Sequence, residues 1–161
     1  MQFLYTLTIL LMITNQANAD KSKQVADVLN NLHKAASQAD SKVYFDLFTE
    51  QANFIGTDVG EYWNIDEFKA FAKPYFDKGQ GWTYVPRNRE IKFNESDTVA
   101  WFHEVLDNES YGTTRGTGVL VFSDNTWKIS QYHLTIPIPN DLAKNMTAEI
   151  KSFESNINNN N

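Results

Sequence analysis

The segment Thr98–Asn140 narrows what this chain can become more than any other. It reads TVAWFHEVLDN, then ESYGTTRGTGVLVF, then SDNTWKISQYHLTIPIPN. Three long runs rich in β-branched and aromatic residues follow one another with short turns between them. Runs joined this tightly pair antiparallel, as a meander. All three set polar or charged residues among the aromatics, a composition suited to one wall of a pocket with a few convergent polar groups inside. The pattern predicts a curved antiparallel sheet around a cavity and leaves the contents of the cavity open.

The strand pattern begins earlier and predicts four strands, Trp82–Phe93, Thr98–Asp107, Tyr111–Phe122 and Thr126–Ile136, with turns over Asn94–Asp97 and Ser123–Asn125. Ahead of them the apolar period changes. Val25, Val28, Leu29, Leu32 and Ala36 recur at helical spacing, so Lys21–Gln38 reads as an amphipathic helix. Asp40 can cap a short second helix carrying Val43, Tyr44, Leu47 and Phe48. Ala52–Thr57 reads as a strand and Asp58–Asn64 as a loop. Asn64 and Glu67 form a capping-box pattern that opens a third helix, which Pro74 should kink or end early. After Pro137 and Pro139, Asn140 or Asp141 caps a final helix with Leu142, Met146, Ile150 and Phe153 on one face. Helices segregated onto one face of an antiparallel sheet make an α+β fold. The later strands are partly apolar on both faces, since Val99, Trp101 and Val105 alternate with Ala100, Phe102 and Leu106. One face covers the helices. The other is too apolar to meet water over its whole width, which points to a homodimer through the outer sheet face.

The first nineteen residues, MQFLYTLTILLMITNQANA, read as an export signal. Phe3–Ile13 supplies the apolar core, and Ala17 and Ala19 supply the small residues read at cleavage. The run is shorter than the roughly 20 residues a membrane span needs. The expectation is therefore cleavage near Ala19, a secreted or periplasmic product, and no stable membrane insertion. The expectation is one domain over residues 20–155 and a disordered, low-complexity Asn-rich tail over 156–161. No cysteine is present, which excludes thiol nucleophiles and thiolate metal sites. The net charge of −6 is spread along the chain without a basic stripe, so nucleic acid is not an expected partner.

The words FIGTDVGEYW (Phe54–Trp63), GWTYVPRNREI (Gly81–Ile91), AWFHEVLDN (Ala100–Asn108), RGTGVLV (Arg115–Val121) and WKISQYHLTIPIPND (Trp127–Asp141) resemble those of the SnoaL-like, or NTF2-like, superfamily, in a bacterial branch of uncharacterised function. The order helix, helix, short strand, helix, meander is also similar to that superfamily. The resemblance implies a cone: a strongly curved sheet, three N-terminal helices on its concave face, a C-terminal helix, and a conical cavity between them. It does not imply one activity, because the superfamily includes an isomerase, cyclases, dehydratases, transport factors and assembly hubs. The ketosteroid isomerase of this group uses a carboxylate base with a tyrosine and a protonated aspartate as oxyanion donors. Counted from Ala39-Asp40, its tyrosine position falls here on Leu32 and its base position near Gly56, with Asp58 two residues on. That particular reaction is not expected.

Within such a cone the candidate ligand contacts are Asp58, Glu61, Trp63, Arg89, Trp101, Glu104, Arg115, Gln131 and His133. Asp58 and Glu61 follow the first strand at the cavity rim, either as a base or contact or as ordinary turn residues. Strict alternation puts Arg87, Arg89, Ile91 and Phe93 on one face, although Pro86 can insert a bulge. An inward arginine needs a carboxylate or an anionic ligand, and Glu104 on the next strand is the natural partner for a pair that braces the sheet. Arg115 is similarly ambiguous, and Gly116 and Gly118 beside it leave space for a close neighbour or a sharp bend. Gln131 and His133 share a face with Trp127 and Ile129 under strict alternation. His103 goes with Trp101, and His33 on the first helix reads as structural or exposed. The three histidines lie on separate elements with no metal-binding spacing. No nucleophile elbow or phosphate-binding glycine loop occurs, so neither metal nor cofactor is expected. The expected function is binding of a small, partly apolar molecule in the cone. The alternatives are a cofactor-free isomerase, dehydratase or cyclase with Asp58 or His133 as base, and a non-catalytic dimerisation or accessory domain.

Overall fold

A computed structural model describes residues 2–158 of the chain, with side-chain surroundings for 19–157. The segment read as an export signal lies almost wholly outside the residues whose side chains are described, as does the end of the tail. The element order is α1 (Gln2–Ser37), α2 (Ser41–Asp46), β1 (Phe48–Ile55), β2 (Tyr62–Asn64), α3 (Ile65–Phe76), β3 (Val85–Phe93), β4 (Val99–Asn108), β5 (Gly112–Ser123), β6 (Thr126–Thr135) and α4 (Asn140–Asn158). The α+β class and the meander are as expected, and β2 is an added strand inside the expected loop. No helix among the described residues is long and apolar enough to cross a membrane.

Local chemistry places the helices. The Asp40 carboxylate accepts from the Val43 amide at 3.0 Å and caps α2. Asn64 and Glu67 complete the capping box of α3, with Asn64 Oδ1 accepting the Asp66 and Glu67 amides and Glu67 Oε2 accepting the Asn64 amide. Pro74 falls in the last turn of α3, which runs two residues beyond it. Its missing N–H and ring therefore disturb only the helix end. Asn94 and Asn108 close the turns after β3 and β4. Each side-chain oxygen accepts two backbone amides, of Thr98 and Val99 and of Ser110 and Tyr111 respectively.

The sheet order is β2-β1-β6-β5-β4-β3, antiparallel except for the parallel pair β1–β6. Its inner face carries Phe54 on β1, Tyr132 and Leu134 on β6, Leu120 on β5, and Ala100, Phe102 and Leu106 on β4, all buried. Val25, Leu29, Leu32 and Ala36 of α1, with Tyr44 of α2 and Phe68 of α3, pack on that face as one core. The helices thus close one side of a curved, unclosed sheet.

Two bulges decide which side chains point inward. On β3 the register shifts between Pro86 and Asn88, leaving Arg87 as the extra residue. Arg89, Ile91 and Phe93 keep the inner face as expected. Arg87 leaves it, pairing its Nε with Asp107 at 3.1 Å and donating to Thr113 at 3.0 Å. On β6 the partners run Leu120↔Ile129 and then Val119↔Gln131, so Ser130 is the extra residue. Tyr132 and Leu134, rather than Gln131 and His133, therefore continue the inner face of Trp127 and Ile129. The shared face expected for Gln131 and His133 fails for this reason.

Candidate functional site

Between the helices and the inner face lies a cavity of about 240 Å³. Its inner walls are Leu32, Ala36, Tyr44, Phe54, Phe68 and Tyr132, and its mouth is formed by Thr57, Glu61, Trp63, Phe71, Tyr84 and Tyr111. The walls belong to a continuous aromatic packing. Phe54 stacks on Phe68 at 3.9 Å and on Tyr132 at 5.6 Å between ring centroids, while Trp63 stacks on Phe71 at 4.7 Å. Capping of α3 by Asn64 fixes the start of the helix that carries Phe68 and Phe71 to the cavity.

The floor is built around one carboxylate. Glu104 is fully buried, and its Oε1 accepts from His33 Nε2 at 2.8 Å and from the Tyr132 hydroxyl at 3.0 Å. Its Oε2 accepts from Arg89 Nε at 2.8 Å. Arg89 Nη2 lies 2.6 Å from the same oxygen, close enough for the ion pair though off the line of a hydrogen bond. Arg89 Nη1 also donates to the Ala26 carbonyl and to Asn30 Oδ1, so the guanidinium ties α1 to β3 and β4. Burial pushes the Glu104 pKa up, but the hydrogen bond and charge of His33 and the charge of Arg89 outweigh it, and the carboxyl is held below its ordinary value. Glu104 is therefore an anion at neutral pH. As an anion it can only accept, so the proton of this hydrogen bond sits on His33 Nε2. Burial, followed by the Glu104 charge, raises the Tyr132 phenol well above its usual value and keeps it neutral.

Gly116 makes this floor possible. It lies beside Glu104 in the β4–β5 register, and a Cβ there would collide with the Tyr132 hydroxyl and come within 3.1 Å of Glu104 Cγ. Gly118 yields in the same way to the Gln131 carbonyl and the Phe102 ring.

The candidate residues divide between the two sides of the sheet. Glu61 and Trp63 line the mouth, and Glu104 with Arg89 forms the support beneath the floor. Asp58 is exposed on the loop, where its carboxylate accepts the Gly60 amide at 2.8 Å, and it does not line the cavity. Trp101, Arg115, Gln131 and His133 lie on the outer face. Trp101 pairs with Val119 and that in turn with Gln131, Thr117 pairs with His133, and Arg115 sits between Val105 and Thr135. Asp58 and His133 therefore do not converge on one space.

His33, read from the sequence as structural or exposed, is buried, and its partner Glu104 is 71 residues away. The available signal was its position on the stripe of Leu29, Leu32 and Ala36. Leu32 and Gly56, where the isomerase comparison puts a tyrosine and a base, both line the cavity. They offer it an apolar side chain and bare backbone.

Comparison with known proteins agrees with this architecture. The model of the SnoaL-like domain matches residues 25–139. No curated protein matches the sequence. Among solved structures, a protein from Novosphingobium aromaticivorans, provisionally named a scytalone dehydratase, superposes with TM-score 0.64 at 15% identity, covering 77% of this chain and 89% of its own. One from Streptomyces avermitilis, provisionally named a dehydratase of the NTF2-like family, gives TM-score 0.64 at 9% identity, covering 75% and 99%. An NTF-2-like protein of unknown function from Shewanella oneidensis gives TM-score 0.55 at 20% identity, covering 71% and 98%. At such identities these structures share the fold and nothing finer. The family match spans most of the chain and the whole sheet, and on that ground this protein belongs to the SnoaL-like domain family.

Proposed function

We propose that this domain binds a small, partly apolar molecule in its cone. The observation that carries the reading is an open cavity of about 240 Å³ walled by stacked aromatic rings, with polar groups confined to its floor and mouth. That volume is just below the common range of ligand pockets, roughly 300–1,000 Å³, and suits a compound of one or two rings. The same observation weighs against a filled accessory cone. The test is a screen of aromatic fragments by ligand-observed NMR, repeated on Thr57→Trp, which places an indole across the mouth. Binding that is lost in the variant is expected. A screen with no hits, or hits indifferent to the variant, overturns the reading.

A second reading, proton-transfer chemistry on the bound molecule, is favoured by the His33–Glu104 hydrogen bond at the cavity. A histidine whose Nε2 proton is committed to a buried carboxylate can accept a proton at Nδ1 and return it, as an isomerase or dehydratase requires. The base in this scheme is His33, not Asp58 or His133. Deuterium uptake at acidic C–H positions of bound hits, abolished in His33→Gln with binding retained, is the expected result. Equal uptake in the variant removes His33 from the scheme.

The wider setting of this reading is an exported homodimer. The half-exposed outer-face residues Trp101, Val105, Val119 and Val121 form the contact, and cleavage near Ala19 releases the domain outside the cytoplasm. N-terminal sequencing of the protein recovered from a bacterial periplasm should begin at Asp20.

A further inference from the structure

Glu61 is the carboxylate among the residues that line the cavity. At the floor, Glu104 consumes the protons of His33 Nε2 and the Tyr132 hydroxyl, at 2.8 and 3.0 Å. At the mouth stands the Glu61 carboxylate. Its placement is set by the backbone. A Cβ on Gly56 would collide with Glu61 Oε2, so the bare glycine lets the carboxylate fold against the end of β1, where it accepts the Asp58 amide at 3.1 Å. The Gly56 amide in turn donates to the Glu61 carbonyl at 2.8 Å. Among the described lining residues there is no lysine or arginine, and Arg89 is spent on Glu104 behind the wall. The mouth phenol of Tyr84 is pushed up to about 12 by burial, with the charges of Tyr111 and Glu61 adding to it, so it stays neutral. A carboxylate or phosphate entering here would lose water, find no lysine or arginine, and face an anion at the rim. A protonated amine on an apolar body meets the Glu61 carboxylate and aromatic walls.

We propose that the cavity selects small arylalkylamines in their cationic form over neutral and anionic analogues, with Glu61 as the residue that sets this preference. The proposal rests on the binding reading given above and names its ligand class. The test uses three compounds of one shape, benzylamine, benzyl alcohol and benzoate, titrated against the full chain at pH 7 by NMR, with Thr57→Trp as the blocked control. Benzylamine should bind most tightly and benzoate should not bind measurably. Glu61→Gln should weaken benzylamine by about five-fold, the scale of one partly exposed ion pair, and leave benzyl alcohol unchanged. Benzoate binding as well as benzylamine, or benzyl alcohol matching benzylamine in the wild type, overturns the amine selection while leaving the pocket reading intact. An unchanged benzylamine affinity in Glu61→Gln overturns the role of Glu61. If none of the three binds and the fragment screen is also empty, it is the pocket reading itself that fails.

Discussion

Gly116 and Tyr132 share one volume: the phenol oxygen that reaches Glu104 occupies the space where any other residue at position 116 would carry its Cβ. A buried hydrogen bond to a carboxylate is thus licensed by a missing methyl group on the neighbouring strand. Gly116→Ala should displace the ring, break the bond and crowd Glu104, at about 2–4 kcal/mol by overpacking and loss of a charged hydrogen bond. Tyr132→Phe loses the bond alone, about 1.5–3 kcal/mol. Since both variants break the same contact, the double variant should fall well short of the sum in urea unfolding. Strict additivity would show that the two positions are not coupled.

The cap of α3 connects local sequence to the cavity wall. Asn64 accepts the Asp66 and Glu67 amides at 3.0 Å each, and this helix end carries Phe68 and Phe71 to the site. Asn64→Ala should cost about 1 kcal/mol in unfolding free energy. Asn64→Asp, which can make the same bonds and puts a negative charge at the helix N-terminus, should cost nothing measurable. No loss in Asn64→Ala would mean that the cap contributes little here.

What was legible in the sequence follows from which interactions are local. The meander, the Asp40 cap and the Asn64–Glu67 box are written within a few residues of where they act, and their positions could be read directly. The bulge at Pro86 was readable because proline advertises its missing N–H. The bulge at Ser130 carries no such mark, so alternation put Gln131 and His133 inward, when the extra residue turns Tyr132 and Leu134 inward instead. For β4, both faces are apolar, and composition could not decide that Trp101 faces out while Phe102 and Glu104 face in. The Arg89–Glu104 pair was inferable from adjacent strands. His33 was not, because nothing on its own helix reveals a carboxylate that only tertiary packing brings to it.

Trp101 is 45% exposed on the outer face, flanked in register by Lys92 and Val119, with Gln131 next in the row. If this face is the contact between two copies, a charge there must be desolvated on association. Trp101→Asp should then yield a monomer with an unchanged cavity, read as a halved mass in light scattering and unaltered fragment binding. A wild-type mass already equal to one chain, or a variant that still pairs, would remove the outer face from the dimer proposal.

Glu104 should leave a signature in the pH dependence of stability. Its carboxyl is held below 4.5, the value it takes when unfolded, by His33 and Arg89 acting against the cost of burial. Below about pH 4.5 the unfolded chain therefore binds this proton more readily than the native one. The stabilisation is complete above that pH and is lost as the pH falls through the lower, folded value. Removing the charge by Glu104→Gln leaves Arg89 buried without its anion, and at pH 7 this should cost about 3–5 kcal/mol. The gap between wild type and variant in urea unfolding should narrow as the pH falls below 4.5. A gap that stays the same down to pH 3 would mean that the cluster does not hold Glu104 in its charged form, and with that the placing of a proton on His33 Nε2 would lose its support.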